Sequence, residues 1–195
     1  VATPEKKYEH WPANREDGWY DLYENTHIAI AELALENADV DFYIKVKWDN
    51  TWISSIIKLL GQNGLSSDDM KNLHIVSDVD PNDLILNSDI VCGFASTVLL
   101  EAAIANKCVV MPLFDEAARA ESRETIFFSD RLEIFDIAHS KDELKDIIVN
   151  RLNGYVPDNE IVKKRISSFE EYVSSCDANA TDKYVNNISE VIMSQ

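Results

Sequence analysis

Residues 88–112 read SDIVCGFASTVLLEAAIANKCVVMP, and strand and helix patterns alternate along them more clearly than elsewhere in the chain. DIVCGF at 89–94 predicts a strand, residues 96–106 predict a helix, and KCVVMP at 107–112 predicts a second strand. Both strands are continuous apolar runs, the pattern of a parallel sheet that is covered on both faces. The alternation predicts an α/β fold, with a Rossmann-like parallel sheet and helices on both faces.

The same alternation extends upstream. Apolar residues at spacings of three and four predict helices at 20–37, 52–60 and 81–87, and short apolar runs predict strands at FYIKV (42–46) and LHIV (73–76). Because strand–helix–strand units cross over right-handedly, the predicted strands should be parallel. We expect them to be neighbours in one sheet, over residues 41–46, 73–76, 89–93 and 108–111.

The last third of the chain is predicted to be mainly helical. Ser140 and Glu143 form a capping box at the start of one helix, and two more helices are predicted over residues 161–173 and 184–192. The predicted domain organisation is a leading loop or remnant of an upstream segment (1–19), a Rossmann-like nucleotide-sugar-binding domain (20–155) and carboxy-terminal helices packed on it (156–195).

The start of the chain does not fit this fold simply. A doubly wound sheet normally opens with a strand that becomes central, yet only Val1–Thr3 could be the end of such a strand. The opening strand is therefore either hidden in the leading loop or outside this chain. Since the chain begins without an initiator methionine or a signal-peptide pattern, we expect it to be processed, trimmed or cut from a longer protein.

Composition and charge narrow the possible partners. Among 195 residues there are 35 Asp and Glu against 18 Lys and Arg, a formal net charge of −17 that repels nucleic-acid phosphates. No apolar run approaches the roughly 18–20 residues that cross a bilayer. Cys92, Cys108 and Cys176 are widely spaced, which argues against a disulfide framework or zinc site and favours a reducing cytoplasm.

The segment after the strand at 89–94 carries the candidate ligand-binding groups. Ser96 and Thr97 stand where a helix is predicted to begin, and the N–H groups and partial positive charge of a helix start favour phosphate. Glu101 follows one turn later and could accept hydrogen bonds from a ribose diol. The simpler interpretation is that Ser96 only caps the helix, and this residue pattern alone favours the cap.

The order G-F-x-S-T, E-A-A and K-C-V-V-M-P within residues 93–112 resembles the carboxy-terminal domain of GT-B-fold glycosyltransferases. The resemblance is strongest to bacterial capsule and lipopolysaccharide transferases and to the related CDP-glycerol glycerophosphotransferases, and it covers most of residues 20–190. Four further segments carry it: ADVDFYIKVKW (38–48), LHIVSDVDPNDLI (73–85), FFSDRLEIFDIAHSKDELKDII (127–148) and SSCDANATDKYV (174–185).

In GT-B enzymes the nucleotide-sugar donor lies against this domain, and an amino-terminal domain binds most of the acceptor. The resemblance implies that Ser96 and Thr97 hold the donor phosphate and that Glu101 holds the ribose. The other implied donor-site residues are Gly93 at the strand end, Ser77, Asp78 and Val79 beside the base, and Lys45 and Lys47 as positive charges. A strand lysine could equally extend into solvent or pair with a carboxylate.

Several features limit or qualify the resemblance. Many retaining GT-B enzymes have E-x7-E, but Gly93 stands eight positions before Glu101, so the stereochemistry is left open. The two D-x-D triplets at 39–41 and 78–80 are interpreted as surface turns, and no metal ion or cofactor is expected. The acidic stretches 116–124 and 170–171 are interpreted as solvated faces.

The resulting hypothesis is the donor-binding half of a glycosyltransferase that acts on a bacterial surface polysaccharide or lipid-linked glycan. We expect a cytoplasmic location, with a peripheral position at the inner face of the membrane as an option. The alternatives are a glycerophosphotransferase or nucleotide-sugar epimerase of the same fold, and a non-catalytic nucleotide-binding or interaction domain. Any general base is expected from the amino-terminal domain, and the sugar, base, acceptor and linkage are left open.

Overall fold

The computed structural model describes residues 18–46, 50–126, 128–177, 179, 181–183 and 185–186. In this part of the chain, helices alternate with short strands. The α-helices are α1 (Tyr20–Glu36), α2 (Asn50–Gln62), α3 (Pro81–Asn87), α4 (Val98–Ile104), α5 (Lys141–Leu152) and α6 (Asn159–Tyr172). The strands are β1 (Phe42–Lys45), β2 (Leu73–Val76), β3 (Ile90–Cys92), β4 (Cys108–Pro112) and β5 (Asp136–Ala138). Short 3₁₀ turns lie at Ser67–Asp69, Asp115–Ala118, Ala120–Thr125 and Leu132–Ile134.

The strands form two small parallel sheets. β1 pairs with β2, and β3, β4 and β5 pair in that order. The parallel direction within each sheet is as predicted, but the single continuous sheet is wrong, since no ladder joins β1 or β2 to β3 among the described residues. The chain passes from β2 through α3 to β3, which pairs with β4 and not with β2. β5 was not predicted.

β4 is buried along its whole length and separates two apolar cores. Its successive side chains alternate between the faces of the sheet, so that Cys108 and Val110 enter one core and Val109 and Met111 enter the other. We call these the first core, built mainly from α1, β1, α2 and α5, and the second core, built mainly from α4 and residues 126–135. Ile85 of α3 belongs to the second core, and Phe169 of α6 packs against it. Helices therefore flank both faces of the β3–β5 sheet, an arrangement compatible with a Rossmann-like fold.

The smaller sheet is covered differently. Phe42 and Ile44 of β1 enter the first core, but Tyr43, on the opposite face, remains 48% exposed. Its ring stacks on His74 of β2 with centroids 4.6 Å apart, and the His74 ring lies 3.2 Å from Asp41. The expectation that both faces of every strand are covered is thus wrong for β1, where the second face carries polar and aromatic side chains at the surface.

Charged side chains fix α1 to α5 above the first core. Lys141 and Lys145 of α5 both contact the carboxylate of Glu32 in α1, at 2.7 and 3.2 Å. Half of the predicted capping box at the start of α5 is confirmed, because Ser140 Oγ accepts from the Glu143 N–H at 3.0 Å. The Glu143 carboxylate accepts instead from the N–H of His139, one residue before the cap, at 2.7 Å. The helix predicted at 184–192 lies largely outside the described residues, and none of the described helices is long and apolar enough to cross a membrane.

A polar network holds the edge at which β4 and β5 begin. Arg151 of α5 makes two 2.8 Å hydrogen bonds to Asp136, the first residue of β5, and Cys108 Sγ donates to the same carboxylate at 3.4 Å. Burial and then the negative charge of Asp136 raise the pKa of the Cys108 thiol to about 12. Burial likewise raises the pKa of Cys92 to about 12, so both thiols are protonated at physiological pH.

Arg165 anchors α6 to the interior of the protein. It is 1% exposed, and its guanidinium donates to the carbonyl oxygens of Ile134, Ala103 and Lys107 and to the Tyr155 hydroxyl. The Ala103 and Lys107 carbonyls lie at the carboxyl end of α4, where a cation is also favoured by the helix dipole. Arg165 therefore ties α4, α6 and the turn before β5 together.

Candidate functional site

The segments that follow β3 and β1, two strands of different sheets, both contact the start of α1. Trp19, just before α1, has its ring centroid 4.9 Å from that of Phe94, which follows β3. Tyr23 in α1 lies 5.8 Å, between ring centroids, from Trp52 near the start of α2, which follows β1. We call this region, where the loops after the strands meet the start of α1, the carboxyl edge.

Glu116, in the loop after β4, also contacts the start of α1 at the carboxyl edge. Its Oε1 accepts from the Asp21 N–H and its Oε2 from the Leu22 N–H, both at 2.8 Å, although Glu116 is only 2% exposed. These bonds replace the cap that Trp19 cannot give, since it has no side-chain acceptor. The interpretation of residues 116–124 as a solvated acidic face is therefore wrong at Glu116, whose charge the helix start stabilises.

The turn between β3 and α4 is tightly built. A side chain at Gly93 would approach Leu99 Cδ2 to 3.0 Å, so the end of β3 lies close against α4. Ala95 has φ = 48°, a left-handed conformation that is costly for a residue with a Cβ. Ser96 Oγ accepts from the Val98 N–H at 3.4 Å, a long hydrogen bond, and the residue at the cap position of α4 is Thr97 and not the expected Ser96.

Thr97 and Glu101 lie on one face of this helix start. Glu101 N–H donates to the Thr97 carbonyl at 3.1 Å, and residues four apart on a helix are neighbours. The Thr97 hydroxyl is exposed and makes no capping hydrogen bond. The half-buried Glu101 carboxylate has no hydrogen-bond or ion-pair partner among the described residues. A hydroxyl and a carboxylate are thus both available to a ligand at this point.

The residues predicted beside the base follow β2. Ser77 Oγ donates to Asp78 Oδ1 at 3.0 Å, and Val79 is half-buried between two exposed aspartates. Asp80 Oδ1 accepts from the Asn82 N–H at 2.8 Å and so caps α3. The interpretation of both D-x-D triplets as surface turns is confirmed, since their four aspartates are exposed. No group of three or more metal-ligating side chains occurs among the described residues.

Of the two lysines predicted for the donor site, the structure describes only Lys45. Lys45, the last residue of β1, directs Nζ to the neighbouring Val46 carbonyl at 2.7 Å and keeps two N–H donors for other partners. Lys47 lies outside the described residues.

Two aromatic contributions were missed by the sequence reasoning. Trp19 contacts Phe94 across the carboxyl edge, a pair that no sequence pattern indicated. The His27 ring lies against that of Tyr23 with centroids 4.1 Å apart and the planes inclined by 44°, and its Nδ1 lies 2.7 Å from the Tyr23 carbonyl. Burial lowers the pKa of His27, which keeps the ring neutral with Nδ1 as the donor. Only the i,i+4 spacing of Tyr23 and His27 could have indicated this pair.

The comparisons with known proteins add no relative to these observations. No family model matches the chain, and no curated protein matches it.

Proposed function

We propose that this chain is the nucleotide-sugar-binding half of a GT-B-type glycosyltransferase that builds a bacterial surface polysaccharide or lipid-linked glycan. The proposal rests on the resemblance of the segment around Gly93–Pro112 and on one structural observation. Thr97 and Glu101 present a hydroxyl and a carboxylate on one face of a helix start, directly after a parallel strand. Ligands of open α/β sheets bind at such carboxyl ends.

The polar groups of the β3–α4 turn suit a nucleoside-diphosphate-sugar donor. The hydroxyls of Ser96 and Thr97 and the first N–H groups of α4 can donate to phosphate oxygens. Glu101 can only accept when ionised, which matches the two hydroxyl donors of a ribose. Lys45, at the end of β1, can contribute a positive charge. By holding the leaving phosphate in place, these groups would stabilise the charge that develops as the sugar departs.

The other half of the reaction is assigned to an amino-terminal GT-B domain. Transfer needs an acceptor in line with the donor and a site from which water is kept out, which one open edge supplies poorly. We therefore propose that the general base and the acceptor site come from that domain. The reaction puts the enzyme in the cytoplasm, at the inner membrane face if the acceptor is lipid-linked. No metal ion or organic cofactor is assigned.

Thermal unfolding in the presence of CMP, CDP, UDP, GDP and TDP tests donor binding. A nucleotide at 100 times its Kd should stabilise the chain by about 2.7 kcal/mol, a rise in Tm of roughly 5–10 °C. The double substitution Ser96→Ala with Thr97→Ala should abolish most of this rise, because it removes both hydroxyl donors. Ser167→Ala, an exposed serine on α6, is the matched control and should leave the rise unchanged. Equal rises in parent and double variant would remove both hydroxyls from the site.

The role assigned to Glu101 has its own test. If Glu101 accepts from the ribose, the parent should bind the best ribonucleotide about tenfold more tightly than its 2′-deoxy analogue, the worth of one hydrogen bond to a charged group. Glu101→Ala should reduce that preference to less than twofold, as measured by calorimetry. Glu170→Ala, on the exposed face of α6, should retain it. A preference that survives Glu101→Ala assigns the ribose to other residues.

A second assay separates a transferase from a non-catalytic module. The chain joined to an amino-terminal GT-B domain should transfer sugar from the matching nucleotide sugar to a lipid-linked or oligosaccharide acceptor, and the chain alone should bind without turnover. Nucleotide binding with no transfer in either form favours the binding-module alternative. Transfer of glycerophosphate from CDP-glycerol to the acceptor with release of CMP would favour the glycerophosphotransferase, and formation of an epimerised nucleotide sugar would favour the epimerase.

A further inference from the structure

Two Asn–Gly pairs occur in the sequence, at residues 63–64 and 153–154, and each directly follows a helix. An asparagine side chain before glycine is prone to react with the backbone, because glycine has no Cβ to hinder the approach of its own nitrogen. All four residues are exposed. The two pairs carry the same reactive groups, so the way in which each helix end is held decides which of them reacts first.

The end of α2 is closed by the two backbone hydrogen bonds of a Schellman motif. The Gly64 N–H donates to the Gly61 carbonyl at 3.2 Å, and the Leu65 N–H donates to the Leu60 carbonyl at 2.9 Å. Leu65 also packs against the first core, to which Leu60 belongs. Both hydrogen bonds and an apolar contact therefore resist opening of this helix end.

The Asn63 side chain is held at the same place. Its Nδ2 donates to the Leu59 carbonyl at 2.9 Å, a bond to the preceding turn of α2. The side-chain amide can react with the Gly64 nitrogen only when this bond breaks together with those of the motif. The fold therefore protects Asn63.

The end of α5 is held by fewer bonds. The Gly154 N–H donates to the Arg151 carbonyl at 3.0 Å, but the Tyr155 N–H, which would complete a Schellman motif, makes no backbone hydrogen bond among the described residues. Gly154 has φ = 115°, against 74° for Gly64. The Asn153 side chain makes no hydrogen bond to another residue in the described part of the chain. One backbone bond thus restrains this pair.

We propose that Asn153 is a site of covalent modification, which deamidates in the folded protein much faster than Asn63. The Gly154 nitrogen bonds to Cγ of Asn153, and the bond from Cγ to Nδ2 breaks. The proton of the Gly154 N–H passes to the departing nitrogen, which leaves as ammonia, and a five-membered succinimide remains. Water then opens the ring at either carbonyl, giving aspartate or isoaspartate without any oxidant or reductant.

The attack requires the helix end to open, because the Gly154 N–H donates its proton to the Arg151 carbonyl in the closed state. Helix ends open locally far more readily than the whole protein unfolds. At α5 this opening breaks one neutral hydrogen bond, whereas at α2 it breaks three and exposes Leu65. The two additional bonds at α2 favour reaction at Asn153 by about tenfold or more.

The products alter the end of α5 in two ways. Either product adds a negative charge where the helix dipole already places partial negative charge. Isoaspartate also adds a methylene to the main chain close to Tyr155, whose hydroxyl accepts from Arg165 at 2.8 Å and whose ring centroid lies 5.0 Å from the Arg151 guanidinium. The modification therefore lies beside the contact between the end of α5 and α6. The inference does not depend on the proposed function.

Peptide mapping by mass spectrometry tests the proposal in the folded 195-residue chain, incubated at physiological temperature and mildly basic pH. Aspartate and isoaspartate should accumulate at Asn153 at least about tenfold faster than at Asn63. The same chain unfolded in urea is the control for the residues that flank the two pairs. There the two rates should agree to within about threefold, because both helix ends are gone.

A second variant tests the protection of Asn63. Leu65→Ala removes the apolar contact that accompanies the Schellman motif, and should speed deamidation at Asn63 at least about threefold without changing the rate at Asn153. Leu86→Ala, at a leucine that is 65% exposed on α3, is the matched control and should change neither rate.

Three results would overturn the proposal. The first is a rate at Asn63 equal to or above that at Asn153 in the folded parent, which decides the question without any variant. The second is the same ratio of rates in the folded and unfolded chains, because flanking residues and not the helix ends would then set it. The third is an unchanged rate at Asn63 in a folded Leu65→Ala variant.

Discussion

Replacing Arg165 with Met is expected to lower the free energy of unfolding by about 3 kcal/mol or more, equivalent to a fall in Tm of roughly 6–12 °C. The methionine can fill much of the space, but it removes the Arg165 donors to the Ile134 and Lys107 carbonyls. The Tyr155 hydroxyl loses a donor as well, whereas the Ala103 carbonyl keeps the Asn106 N–H. Buried acceptors without a partner bear the full cost of desolvation. Urea unfolding monitored by fluorescence measures the change.

The neighbouring residue provides a control of equal charge. Lys164 is exposed and its Nζ lies 3.5 Å from Glu133, so Lys164→Met removes the same charge from the surface and should cost less than about 0.5 kcal/mol. Arg165→Lys, which retains the charge but cannot reach all the acceptors, should fall between the two. If Met at both positions has the same effect, the buried hydrogen bonds of Arg165 are not the source of its stabilisation.

Glu116→Ala is expected to destabilise the protein by about 3 kcal/mol. It removes two charge-assisted hydrogen bonds from the start of α1, and the N–H groups of Asp21 and Leu22 lose their acceptor in a region with little access to water. Glu116→Gln keeps one acceptor oxygen and should cost about half as much. Chemical denaturation of both variants, compared with the parent, measures these differences.

The acidic turn after Glu116 supplies the matched control. Glu121 is exposed, so Glu121→Ala should change the free energy of unfolding by less than about 0.5 kcal/mol. An equal loss at both positions would mean that charge in this stretch matters and that the contact with α1 does not. A small loss at Glu116 alone would show that water readily replaces its carboxylate at the helix start.

Apolar periodicity was sufficient to predict most elements of this fold. A continuous apolar run predicted β4, and apolar residues at helical spacing predicted α1. The Ser140–Glu143 pair located the start of α5. β5 has only three residues and begins with Asp136, so it shows no apolar run. Strand order could not be predicted either, because pairing between strands distant in the chain leaves no local pattern in short apolar runs.

Charged residues were the main source of error. Arg165 stands in the polar sequence KKRISS and Glu116 in an acidic stretch, so both have the pattern of surface residues. Except for Tyr155, 10 positions from Arg165, their partners lie 31 to 95 positions away in the chain, which no local spacing could indicate. The β3–α4 turn was more accessible to sequence reasoning, because Gly93, Ser96, Thr97 and Glu101 lie within nine consecutive residues.

The full burial of β4 also bears on how the protein unfolds. Val109 and Val110 are consecutive residues, yet each belongs to a different core. Neither core can lose its packing on β4 without disturbing the backbone that supports the other, so the two faces are linked through one strand. Cooperativity between the two cores is the consequence: local opening of α4 or α5 can occur independently, whereas release of β4 amounts to global unfolding.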